Sequence, residues 1–193
     1  MIKIFKNLVT LVVALLLATL VRTYFFQLYV IPSESMTPTI SVSDRVIVVK
    51  DDILDIDYKV GDVVVFYHPE THSDNSETAK LIDSLQVWDS LFNGQNEIVY
   101  IKRIIGLPGD NIRIDKDGDI YRNDSLLIFN GLINETYSSI ANYSVPDNQY
   151  FLLGDNRSNS QDSRVFGYVP IENLLGKAFY IVYPFNNFSN LND

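Results

Sequence analysis

The chain has 193 residues, a net charge of -9 and 47% hydrophobic residues. The acidic balance argues against nucleic acid as a partner, because phosphate binding needs a basic face, and the apolar share excludes wholesale disorder. The sequence contains no cysteine, which excludes disulfides, thiolate nucleophiles and cysteine-ligated metals.

The N-terminus predicts a membrane anchor. Two lysines precede an uncharged run over residues 8–21, and Arg22 and an aromatic cluster over 24–26 follow it. The run alone is shorter than the roughly 20 residues that cross a bilayer, so the span requires Arg22 to reach the headgroups. We expect one transmembrane helix within residues 1–28, with the N-terminus cytoplasmic and the remainder extracytoplasmic. A cleavable signal sequence is the alternative, but no small-x-small cleavage site precedes a polar segment.

The following segment, residues 29–185, predicts a mainly β domain. Short β-branched and aromatic runs alternate with glycine and proline turn signals. The predicted strands cover residues 45–50, 62–67, 98–105, 112–114, 119–122, 149–153 and 178–183. Many short strands of this kind are typical of a sandwich or an irregular barrel. The last residues, 186–193, are expected to form a flexible tail.

One segment departs from the β pattern. Within an insertion over residues 70–97, apolar side chains from Leu81 to Phe92 recur at helical spacing, which predicts a small amphipathic helix. Its apolar face is expected to pack on the β core.

A serine and a lysine are the strongest candidates for chemistry. The two histidines, His68 and His72, lie in a segment broken by a proline, which disfavours a Ser-His-Asp triad or a metal site. A serine hydroxyl needs a base, and a lysine can serve if burial lowers its pKa by about 3 units. In the strand over 98–105, the period of two places Lys102 on one apolar face and Arg103 on the other. Ser35, shortly after the anchor, is the candidate nucleophile.

Four blocks, in this order, resemble the bacterial type I signal peptidases (leader peptidases), which are membrane-anchored Ser/Lys proteases. The blocks are residues 32–39, 61–66, 100–110 and 154–164. The resemblance spans nearly the whole chain. It implies a β-rich catalytic domain that removes signal peptides from exported preproteins, cleaves after small residues (Ala-x-Ala) and uses no metal or organic cofactor.

The resemblance also implies a role for individual residues. Ser35 corresponds to the nucleophile and Lys102 to the general base, while the Ser33 hydroxyl and the Ser35 N–H correspond to the oxyanion hole. Ser160 corresponds to the residue that orients Lys102. The structural ion-pair positions are Arg103, Asp155, Asp162 and Arg164. The positions lining the substrate pockets are Tyr29, Ile31, Met36, Tyr100 and Ile101.

The chain departs from the family pattern at Glu34, which stands where a glycine is common between the two serines. Its carboxylate is expected to affect local pKa values or substrate preference. The expected partners are signal peptides, membrane lipids and the neighbouring export machinery, at the plasma (inner) membrane. Two rivals stay open: a self-cleaving Ser/Lys regulator, and a non-catalytic anchored β module that binds extended peptides.

Overall fold

A computed structural model describes residues 2–51, 54, 56–70, 99–129, 132 and 135–191. The chain begins with helix α1, Ile2–Tyr24. Its segment Lys3–Tyr24 is long and apolar enough to cross a membrane, and its most apolar stretch is not buried against the rest of the protein. The predicted insertion helix lies outside the described residues.

The rest of the described chain is mainly β, which confirms the predicted fold class. The strands are β1 Phe26–Val30, β2 Arg45–Lys50, β3 Val63–Tyr67, β4 Val99–Gly106, β5 Asn111–Ile114, β6 Ile120–Arg122, β7 Ser125–Leu127, β8 Ala141–Ser144, β9 Gln149–Leu153, β10 Val169–Pro170, β11 Leu174–Tyr183 and β12 Ser189–Asn190. A one-turn helix, α2, covers Ser163–Phe166.

The strands form two antiparallel sheets. In the larger sheet the order is β1-β2-β11-β3-β4-β9-β10, with β12 added to β11, and in the smaller sheet it is β7-β6-β5-β8. The central strand β3 has the sequence VVVFY and is buried over its first four residues, because it lies between β11 and β4 with core on both faces. Phe151 and Leu153 of the larger sheet pack against Ile112 and Ile114 of the smaller one.

Two predicted boundaries are corrected by the structure. The anchor helix ends at Tyr24, not near residue 28, because residues 26–30 are β-branched, aromatic and long side chains that suit a strand and pair with β2. The predicted flexible tail is ordered as far as Leu191. Its strand β12 pairs with β11, and Leu191 is only 6% exposed in the core.

Candidate active site

Ser35 lies in a turn over residues 33–40, the serine turn, within the longer connection from β1 to β2. The next residue, Met36, and Ile40 are both fully buried. The Ile40 N–H donates to the Met36 carbonyl at 2.9 Å, and the Thr37 N–H donates to the Glu34 carbonyl at 3.1 Å. Burial of these two apolar side chains therefore fixes the turn, and Ser35, which directly precedes Met36, is 7% exposed.

Lys102 lies on β4 and reaches this hydroxyl. Its Nζ donates to Ser35 Oγ at 2.7 Å and to the Ile101 carbonyl at 2.8 Å. Lys102 is 3% exposed and its Nζ lies 6.0 Å from the centre of the Tyr100 ring, on the face that the strand period predicted. The sequence separates the two residues widely, and the sheet brings them into direct hydrogen-bond contact.

Burial also changes the acidity of this amine. It lowers the pKa of Lys102 from 10.5 to about 8, because the ammonium form loses its hydration. The carboxylates of Asp162 and Asp155 act in the opposite direction and limit the decrease. The neutral form of the amine is thus populated, although not predominant, near neutral pH, and only this form can accept the serine proton.

The second serine of the turn lies beside the first. Ser33 Oγ is 3.4 Å from Ser35 Oγ, so both hydroxyls can contact one carbonyl group bound at this point. A hydroxyl and a backbone N–H in such a position are donors that suit a developing oxyanion. The oxyanion-hole role of Ser33 stays a prediction.

Ser160 does not form the predicted hydrogen bond to Lys102. Its Oγ is buried and has no hydrogen-bond partner among the described residues. The lysine instead donates to Ser35 and to the Ile101 carbonyl. Ser160 nevertheless lies near the site: a Cβ added to Gly154 would clash with the Ser160 side chain and lie 2.6 Å from the Ser35 carbonyl. Only a glycine allows β9 to approach the turn so closely.

The four predicted ion-pair residues form two pairs. Arg103 donates from Nε and Nη2 to both oxygens of Asp155, at 2.9 and 2.6 Å. Arg164 contacts both oxygens of Asp162, each at 2.8 Å. The Asp162 carboxylate also accepts the Gly154 N–H at 3.0 Å. Bidentate pairs of this kind fix geometry as well as charge, so they hold β4, the end of β9 and the following loop together.

Sequence reasoning missed Asn156, which ties the loop after β9 to the serine turn. Its N–H donates to the Ser35 carbonyl at 3.0 Å, and its Nδ2 donates to the Glu34 carbonyl and to Thr37 Oγ1 at 3.3 and 3.1 Å. Asn156 follows the Gly-Asp pair of the fourth motif block. The motif marked its neighbourhood, but nothing in the sequence indicated that its partners would lie more than a hundred positions upstream.

The predicted pocket residues fall into two groups. Four of them, Tyr29, Ile31, Met36 and Ile101, pack in one apolar cluster around the serine turn. Tyr100 lies on the opposite face of β4, with Phe66 and Phe166. The ring of His68, which follows β3, packs 5.5 Å from Tyr100 and 5.2 Å from Phe166. His72 lies outside the described residues.

Comparison with known proteins identifies one family. The family model described as "Signal peptidase, peptidase S26" matches residues 4–183. The chain is 38% identical to "Probable signal peptidase I-2" of Synechocystis, over 91% of this chain and 71% of the relative. It is 34% identical to "Probable signal peptidase I-1" of the same organism, over 96% and 86%. A solved signal peptidase I from Enterococcus faecalis superposes with a TM-score of 0.43 at 26% identity, over 63% of this chain and 97% of that one.

Proposed function

This chain belongs to the signal peptidase family, peptidase S26, which makes it a serine protease, and we propose that it removes signal peptides from exported preproteins with a Ser35/Lys102 dyad. The observation that carries the proposal is the 2.7 Å contact between Lys102 Nζ and Ser35 Oγ, both in a buried setting. Buried side chains at this distance suit a nucleophile and its base.

The proposed reaction begins when neutral Lys102 accepts the proton of Ser35 as Ser35 Oγ attacks the scissile carbonyl carbon. The new C–O bond gives a tetrahedral oxyanion, which the Ser35 N–H and the Ser33 hydroxyl stabilise. Lys102 then gives the proton to the leaving amine, the C–N bond breaks, and an acyl-enzyme remains. The neutral amine then deprotonates a water molecule that attacks the acyl carbon, the bond from that carbon to Ser35 Oγ breaks, and Lys102 returns the proton to Ser35 Oγ.

Substrate selection is proposed to depend on the cluster around the turn. An extended signal-peptide segment would add main-chain hydrogen bonds beside β1 and β4. Tyr29, Ile31, Met36 and Ile101 would leave room only for small side chains at the first and third residues before the cleaved bond. This arrangement favours sites of the Ala-x-Ala type.

The location is proposed to be the outer face of the plasma (inner) membrane, close to the export machinery. Helix α1 supplies a span of sufficient length, and Lys3 and Lys6 before its apolar run favour a cytoplasmic N-terminus. Ser35 follows the helix end after one short strand, so the dyad would lie close to the lipid headgroups, where a membrane-bound signal peptide presents its cleavage site.

Cleavage by defined variants tests the proposal. Full-length protein in detergent should cleave a preprotein after an Ala-x-Ala site, and Ser35→Ala and Lys102→Ala should each lower kcat by at least about 1000-fold, since each removes a member of one catalytic unit. Lys116→Ala, in the exposed turn before β6, is the control and should cleave at the wild-type rate. Near-full activity of Lys102→Ala at neutral pH would refute the dyad. Binding of the preprotein without cleavage by the wild type would favour the non-catalytic module.

A further inference from the structure

Glu34 places a carboxylate at the edge of the catalytic turn. It lies between Ser33 and Ser35, whose hydroxyls are 3.4 Å apart. Ser35 is buried, whereas Glu34 is exposed. Its side chain is thus the solvent-facing neighbour of the nucleophile.

The position of this carboxylate is held from both ends. The Glu34 carbonyl accepts hydrogen bonds from the Thr37 N–H, from Thr37 Oγ1 at 2.8 Å and from Asn156 Nδ2 at 3.3 Å. At the far end of the side chain, Asn159 Nδ2 donates to Glu34 Oε2 at 3.4 Å. The turn and the loop after β9 therefore hold Glu34 in the seam between them.

Among the described residues, no cation forms an ion pair with Glu34. The acidic groups of the neighbouring loop behave differently: Asp155 pairs with Arg103 and Asp162 pairs with Arg164. The Asn159 amide is a neutral donor, so it orients the Glu34 carboxylate without cancelling its charge. The Glu34 carboxylate thus has no counter-charge among the described residues, next to the proposed cleavage site.

The geometry also indicates which part of a substrate meets this charge. The predicted pockets for the signal-peptide side are built from β1, the start of the turn and β4. The Glu34 side chain is bonded instead to Asn159 in the loop after β9, and β9 pairs with β4 on the edge opposite β3. Because the two halves of a bound substrate would lie on opposite sides of Ser35, the mature half would then extend toward Asn159.

We propose that Glu34 determines specificity for the mature side of the cleavage site, favouring preproteins with lysine or arginine at the first mature positions and disfavouring those with aspartate or glutamate. This inference rests on the proposed signal-peptide cleavage and adds a second selection to the small-residue pockets. An exposed pair contributes modestly, so each change of one substrate charge should alter kcat/KM by roughly two- to five-fold.

An indirect effect through Lys102 is the competing explanation. The carboxylates that raise the pKa of Lys102 are Asp162 and Asp155, both in the loop after β9 and not in the serine turn. A direct contact between Glu34 and the substrate therefore predicts changed selectivity with an unchanged pH profile. An effect through Lys102 predicts a shifted pH profile with unchanged selectivity among the substrates.

The test uses three synthetic preproteins that differ only at the first two mature positions, carrying lysine, glutamine or glutamate after one Ala-x-Ala site. With full-length wild type in detergent, kcat/KM should fall in the order lysine, glutamine, glutamate. Glu34→Gln should bring the three values together, and Glu34→Lys should reverse their order. About 0.5 M salt should weaken the wild-type preference, because the Debye length is then only a few ångströms.

Glu172→Gln is the matched control, since Glu172 is also exposed but belongs to the segment between β10 and β11. It should keep the wild-type order. A wild-type preference that survives in Glu34→Gln, equal cleavage of all three substrates by the wild type, or a shifted acid limb in Glu34→Gln would each overturn the inference and leave the proposed function standing. Failure of the wild type to cleave any of the three would overturn the proposed function itself.

Discussion

At the scale of single residues, the site depends on an amine that the fold keeps out of water. Lys102 is buried, and its two hydrogen-bond acceptors, Ser35 Oγ and the Ile101 carbonyl, are both uncharged. Neither offers the full negative charge that would stabilise the ammonium form. The nearby carboxylates are occupied by the arginines Arg103 and Arg164. The surroundings thus remove hydration from the amine without replacing it by an ion pair.

This environment predicts how cleavage depends on pH. Because only the neutral amine accepts a proton, and burial lowers the pKa of Lys102 to about 8, kcat/KM should rise with pH through a midpoint near that value and fall on the acid side. The measurement is the initial rate of preprotein cleavage from pH 5 to 9, with the Lys116→Ala variant as the control. A rate that stays constant across this interval would contradict a lysine base.

The sequence predicted the contact between Ser35 and Lys102 better than several of the contacts around it. Period-two alternation in a strongly apolar strand indicated that Lys102 would be buried, and the motif blocks indicated Ser35. Asn156 and the free hydroxyl of Ser160 were not predictable in the same way. Their contacts depend on how a loop folds back on a turn far away in sequence, which no local periodicity records.

At the scale of elements, the site is built where the β4–β9 pair meets two loops. Asp155 receives three hydrogen bonds, two from Arg103 on β4 and one from Thr39 Oγ1 at 2.5 Å in the serine turn. The residue therefore links a strand, a loop and the turn that carries Ser35. Removing its charge should affect both the stability of the fold and the chemistry of the site.

Asp155→Asn tests this link. The change leaves the Arg103 guanidinium buried without its counter-charge, and the loss of one partner of a buried pair costs about 3–5 kcal/mol in unfolding free energy. It also removes a carboxylate that raises the pKa of Lys102, so the midpoint of the activity profile should move to lower pH. Unfolding in detergent and the pH profile are the measurements.

Asp57→Asn is the control for this prediction. Its pair with Lys59, at 3.6 Å, has both side chains largely exposed, and such pairs contribute little. Equal losses of stability in the two variants would show that Asp155 has no special structural role.

The sequence also predicted the long buried strands but not several of the short ones. The buried strands β3 and β4 and the central β2, β9 and β11 were predicted because they are continuous β-branched or aromatic runs. Strand β1 was assigned in part to the anchor, since its apolar residues continue the apolar run of the helix. The short strands β7, β8, β10 and β12 are defined by pairing with neighbours, and two to four residues carry no clear period.

At the scale of the whole molecule, the apolar helix passes into the sheet almost without a connection. Phe25 alone separates α1 from β1. Its N–H donates to the Val21 carbonyl and its own carbonyl accepts the Lys50 N–H, each at 2.9 Å. This residue therefore belongs to both elements, and α1 and the larger sheet share a continuous hydrogen-bonded backbone.

Truncation at two nearby positions tests where the sheet begins. A chain lacking residues 1–24 keeps all of β1 and should remain folded and cleave a soluble signal-peptide substrate. A chain lacking residues 1–28 loses the pairings of Phe26, Gln27 and Leu28 with β2 and should unfold at a temperature several degrees lower, with reduced activity. The unfolding temperature in detergent and the cleavage rate distinguish the two truncated chains. Equal values for both chains would place the start of the sheet near residue 28, as the sequence predicted.

Because only Phe25 separates α1 from β1, the distance from the end of the helix to Ser35 is fixed by the fold. If α1 spans a bilayer, β1 and the start of the following connection determine the distance of Ser35 from the membrane surface, and no flexible linker intervenes. For the proposed signal peptidase, a scissile bond held too deep in the membrane or too far from it would not reach Ser35, whatever its side chains.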